Sequence, residues 1–145
     1  MKSLVKWLDS NHDLALLLVR IGVGLMFIFV HGGPKILGGT AGWAKLGGMI
    51  GILGVTFAPV LLGFIAGLFE LLGGFLLTLG LFTRLGAAMI LAVLLVAAPT
   101  MYITKGLFGA APSIEDSLLM ILFIFIGPGR YSLDHKLFGR KTYGI

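Results

Sequence analysis

The chain contains no cysteine. That absence excludes disulfide staples, thiol–disulfide exchange, thiolate zinc sites and cysteine-held iron–sulfur clusters built by this chain alone. Charge is nearly as scarce, with Asp, Glu, Lys and Arg making up 12% of 145 residues against 58% hydrophobic. Of the three histidines, only His31 falls inside an apolar run, while His12 and His135 flank such runs. A haem held by two histidines is therefore not expected, and neither is a metal centre. No Ser–His–acid constellation, phosphate loop or dinucleotide fingerprint is present. GLFGAAP and LGGMIG are rich in glycine but lack the strand–turn–helix setting that phosphate binding needs.

What is present is apolar surface. The mean hydropathy is +1.07, and a water-soluble domain of this size cannot bury so much. The sequence therefore predicts a membrane protein with a single domain spanning 1–145. The net charge of +5 does not point to nucleic acid, because the basic residues sit at the ends of apolar segments and no aromatic residues alternate with them. Lys2 and Lys6 ahead of LALLLVRIGVGLMFIFV resemble a signal peptide, but HGGPK is a poor cleavage site and a retained first helix is expected.

A bilayer core takes roughly 20 residues of helix. Four windows qualify, about 13–32, 58–80, 85–104 and 113–130, which predicts an all-α, polytopic four-helix bundle. Ser113 after Pro112 reads as the cap of the last helix, so Glu115 and Asp116 fall in its first turn. Pro99 is expected to kink the third helix. The glycine-rich segment of about 36–56 is too interrupted to cross and is either interfacial or re-entrant, with Trp43 and Lys45 suited to an interface. Lys2, Lys6, Arg84, Arg130, Lys136, Arg140 and Lys141 fall on one side, and Lys35, Lys45 and Lys105 on the other. That bias puts both termini in the cytoplasm and, in a bacterium, the protein in the inner membrane.

Two charges lie far from any helix end. Arg20 and Glu70 would each cost about 2.5–3.5 kcal/mol alone in lipid, which predicts an ion pair between them. Gly63, Gly67, Glu70 and Gly74 share one helical face, and Arg20, Gly24, Phe27 and His31 share another. His31 and Lys35 continue the second stripe outward, toward Glu115 and Asp116. Arg20, His31, Lys35, Glu70 and Glu115 are thus the candidate ligand-binding or proton-relay residues; none is assigned as catalytic and no metal site is expected.

Three stretches, LLVRIGVGLMFIFVHGGPKI, FELLGGFLLTLGLFTRLGAAMI and EDSLLMILFIFIGPGRYSLD, together resemble the DoxX family of small bacterial membrane proteins. The resemblance implies a four-helix bundle and a link to membrane redox processes, including quinone handling, detoxification and oxidative stress. It carries over to Arg20, His31, Lys35, Glu70, Arg84, Glu115, Arg130 and Asp134. The expected function is a quinone-interacting component that acts, if in an oxidoreductase at all, with a soluble partner, because the chain has no electron carrier and implies no covalent cofactor. The alternatives are a non-catalytic anchor or assembly subunit for such a partner, and a small transporter that works as a homo-oligomer. An apolar pocket beside Glu70 would favour a ligand; a dry, packed seam would favour the anchor.

Overall fold

A computed structural model describes Trp7 and residues 10–142, with side chains as far as Gly139. Lys2 and Lys6, which enter the charge count, lie outside the described residues, as do the side chains of Arg140 and Lys141. The regular elements among the described residues are all helical, with no strand. Helix α1 (His12–Leu37) is followed by α2 (Gly39–Gly48) and a 3-10 turn at Met49–Leu53. Then come α3 (Pro59–Leu79), α4 (Thr83–Ile126) and α5 (Leu133–Thr142).

Helices α1, α3 and α4, of 26, 21 and 44 residues, are long and apolar enough to cross a membrane. Leu18, Phe29, Leu95 and Phe125 lie on their exposed faces. In water such faces would drive aggregation, whereas in a bilayer they meet lipid. The core is a small cluster of Phe27, Leu77, Ala87, Ile90, Leu94, Met120 and Phe123.

The first crossing runs past the expected stop at residue 32. Phe27–Gly32 forms a π-helical turn, and α-helical structure resumes over Gly33–Leu37. Pro34 sits in the first turn of that resumed helix, where a missing N–H and a fixed φ do no harm. Helix α4 also departs from expectation. It bends at Gly106 (φ 69°, ψ −169°) rather than at Pro99; that backbone conformation is open almost only to glycine. A straight helix of that length would reach ~66 Å. Yet Asp134, just past its far end, bonds to the amide of Thr83 at its start. The halves 83–105 and 107–126 therefore fold back on each other. The second half starts six residues before Ser113, so Glu115 and Asp116 lie within the helix rather than in its first turn.

Helices α1 and α3 are antiparallel and in close contact. Gly24 faces Gly74 and Thr78, Gly32 lies on the backbone of Glu70 and Leu71, and Lys35 lies beside Gly67. Beyond Leu37 the segment expected to be interfacial or re-entrant is helical and follows the N-terminal half of α3. Trp43 lies on Gly63 and its ring meets Phe64 edge-on at 4.9 Å, while Gly47 lies on Pro59. A Cβ at Gly63 would overlap the backbone of Trp43. Gly63→Ala is thus expected to lose about 1–3 kcal/mol by overpacking. Gly48→Ala, at a site with open space around it, is expected to lose far less; thermal unfolding in detergent compares the two.

Candidate ligand site at a buried ion pair

The expected Arg20–Glu70 pair does not form. Antiparallel register places Arg20 beneath Gly80, about 15 Å along α3 from Glu70 at ~1.5 Å per residue. Glu70 bonds instead to Lys35, whose Nζ donates to Oε1 at 2.6 Å and to Oε2 at 2.5 Å. The carboxylate is almost wholly buried at 2% exposure, while the Lys35 side chain keeps 29%. Glu70 stands at the middle of α3, far from either of its ends. Gly24 and Gly32 on α1 and Gly67 on α3 are what let the two backbones approach closely enough for this pair to close. Lys35 is held in turn by Trp43, whose indole Nε1 donates to the Lys35 carbonyl at 2.9 Å.

Lys35 also borders a partly open cavity of about 220 Å³. Its walls are apolar: Leu62, Ile65 and Phe69 from α3, Val93 and Val96 from α4, and Met49 and Ile50 from the 3-10 turn. Besides Lys35 the one polar side chain in the lining is Thr100, which donates its hydroxyl proton to the Val96 carbonyl at 2.8 Å. An ammonium has three N–H donors. Two are engaged by Glu70, and the third is left for an acceptor in the cavity. An apolar slot with one well-placed charged donor is the pattern of a small-molecule site.

The other expected residues separate into two groups. His31 stands apart from Lys35: its ring packs on Phe27 with centroids 5.0 Å apart, and it shares a cavity between α1 and α4 with Asp116. Glu115 is exposed on the surface of α4. The predicted His–Lys–Glu–Asp cluster at one end of the bundle is therefore divided, with Lys35 taken by Glu70 and Asp116 facing His31 near mid-helix depth.

Arg20 belongs to a clasp at the other end. Its Nη1 donates to the Pro128 carbonyl at 2.9 Å and its Nη2 to the Tyr131 carbonyl at 2.8 Å. Nearby, the Asp134 carboxylate accepts from the amides of Phe82 at 2.7 Å and Thr83 at 2.9 Å, and so caps α4 from a distance in sequence. These bonds hold Phe82 at φ 47°, a conformation a bulky residue avoids unless fixed by its surroundings. Asp13 accepts from the amide of Arg130 at 2.8 Å and closes the same end. The sequence offered no local signal for these caps, since Asp134 lies some fifty residues from the helix start it caps. Among the described residues no group of three His, Cys, Asp or Glu side chains is placed to hold a metal.

A helical membrane protein with a buried Lys–Glu pair beside an apolar cavity is the class this geometry defines. The DoxX family profile matches residues 15–103, covering α1 to the first half of α4, and the chain belongs to the DoxX family. Arg20, His31, Lys35, Glu70 and Arg84 fall inside that match; Glu115, Arg130 and Asp134 fall outside it. A protein of Haemophilus influenzae, described as uncharacterized, is 37% identical over 139 residues, which is 90% of this chain and 96% of the relative. No solved structure matches.

Proposed function

We propose that the protein crosses the bacterial inner membrane four times, keeps both termini in the cytoplasm, and binds a quinone-type ligand as a component of a membrane redox or detoxification system. The two halves of α4 each hold roughly 20 residues or more, the length that spans the hydrocarbon core. With Lys35 withdrawn into the bundle beside Glu70, Lys45 and Lys105 are the outer-side lysines left to oppose seven basic residues on the inner side.

The observation that carries the ligand reading is the apolar cavity ending on Lys35. Its volume of about 220 Å³ exceeds the ~150 Å³ of an apolar cavity that takes up benzene, so it accommodates a substituted ring while a longer tail extends outward. The free N–H of Lys35 donates to a ring carbonyl, and the neutral Lys35–Glu70 pair suits an uncharged head group. The electron donor or acceptor comes from a partner, because the chain has no redox centre of its own among the residue types it contains.

The test is mass spectrometry of small molecules extracted from protein purified in mild detergent. Wild type is expected to retain quinone well above an unrelated membrane protein. Ala66→Phe, at another lining residue of α3, places a ring in the cavity and is expected to reduce retention about tenfold or more, the worth of one charged hydrogen bond and its ring contacts. Equal retention by wild type, Ala66→Phe and the unrelated protein would discard the ligand reading and leave the anchor subunit.

A further inference from the structure

The cavity between α1 and the second half of α4 has a volume of about 360 Å³ and is lined by Gly22, Val23, Met26 and Phe27 together with His31 and Asp116. It lies deep in the apolar region. Asp116 stands at the middle of the second half of α4, and His31 adjoins Gly32, which lies against Glu70 and Leu71. Both side chains are half-buried, and both line this one cavity. Among the described residues neither has a hydrogen-bond partner, and the lining contains no lysine or arginine. A carboxylate at this depth in lipid is costly and calls for a partner.

We propose that this groove is a second ligand site and that it takes a protonated lipophilic amine. The ammonium donates one N–H to the Asp116 carboxylate and another to the unprotonated nitrogen of the His31 imidazole. Its apolar body lies along Val19, Val23 and Met26. The buried ring of Phe27, stacked at a tilt on His31, sets the imidazole's position. Two acceptors lining one groove select for a donor with at least two N–H bonds, so a primary amine fits and a quaternary ammonium does not. An anion is repelled by Asp116. A metal ion would find only two protein ligands here, fewer than a protein site usually supplies. The site shares no lining residue with the cavity at Lys35 and stands independently of the quinone reading.

The experiment is isothermal titration of the full chain in dodecyl maltoside, with matched micelle blanks, using n-octylamine, n-octyltrimethylammonium and n-octanol. Octylamine is expected to bind wild type about tenfold or more tighter than the other two, as a charge-assisted hydrogen bond dictates. Asp116→Asn is expected to lose about tenfold in octylamine affinity, and His31→Phe about two- to tenfold, the range for one neutral acceptor. Glu115→Gln, one residue away on the exposed face, is expected to bind as wild type does. Equal octylamine affinity in wild type and Asp116→Asn, or equal affinity for the amine and the quaternary ion, overturns the proposal. Should Asp116→Asn fail to fold, a diazirine-bearing alkylamine photolabels wild type instead. Label within 19–31 and 113–120 supports the site, and label spread evenly over the lipid-facing surface overturns it.

Discussion

Lys35→Met is expected to lower the stability of the folded bundle by about 3–5 kcal/mol, the range for stripping one partner from a buried ion pair. The size follows from asymmetry of burial. Glu70 is 2% exposed and both of its oxygens are spent on Lys35, so removing the ammonium leaves a carboxylate with no counter-charge at the centre of α3. Glu70→Gln is expected to be milder, about 1–3 kcal/mol. Lys35 keeps 29% exposure, its stem is flexible, and its ammonium can turn toward the cavity mouth and water. The double variant Lys35→Met/Glu70→Gln is expected to be more stable than Lys35→Met alone, since no buried charge then lacks a partner. Equilibrium unfolding of the four proteins in mixed micelles forms a double-mutant cycle. A coupling energy near zero would show that the two side chains touch without depending on each other.

The same pair shows how far the sequence could be read. Composition and the apolar windows were enough for an all-helical membrane protein, because bilayer thickness imposes helix length directly. The facing glycine stripes were also legible: Gly24 and Gly74 do meet. The partner of Glu70 was not, for a local reason. GGP after His31 looks like a helix stop, and it places Lys35 outside the membrane on paper. In the fold a π turn at Phe27–Gly32 carries the helix through it, so Lys35 extends the series Gly24, Ile28 and Gly32 on the face toward α3. Similarly, Ser113 after Pro112 has every mark of a helix start, yet the true reversal is at Gly106, where only a glycine can take the backbone angle. Charge logic alone paired Arg20 with Glu70 as two ions at membrane depth. Register, which depends on which glycines come into contact, decides otherwise. Long-range caps such as Asp134 on Phe82 and Thr83 leave no periodic trace in a sequence at all.

Arg20→Met is the second substitution with a large expected effect, and it acts at the clasp rather than at the ligand site. The guanidinium is 1% exposed and satisfies the carbonyls of Pro128 and Tyr131, which follow the end of α4 and have left the helical ladder. Methionine fills much of the same space and offers no donor. The buried Pro128 carbonyl then loses its partner, at about 1–3 kcal/mol, and the part-buried Tyr131 carbonyl loses one at a smaller cost. The loss extends further than those two bonds. The turn from Gly127 to Ser132 carries Asp134 into place, and Asp134 caps Phe82 and Thr83. Its own amide donates to the Gly80 carbonyl at 2.8 Å. Releasing the turn therefore frees the start of α4 and the end of α3 together. Hydrogen exchange is expected to report this as lost protection at the amides of Thr83, Arg130 and Asp134, with the amides around Glu70 unaffected. Arg20→Lys is expected to recover less than half of the stability, because a single ammonium cannot reproduce the planar fork that reaches both carbonyls at once. Arg84→Met, at an exposed position on the same end, serves as the control for losing a positive charge without losing a clasp. If Arg20→Met and Arg84→Met exchange alike, Arg20 is a topology charge and nothing more. If only Arg20→Met opens that end while quinone retention stays at the wild-type level, the molecule has two separable parts. One is a clasp that closes the bundle where Asp13 holds the turn after α4 and Asp134 caps its start, and the other is an ion pair that shapes the cavity at mid-depth.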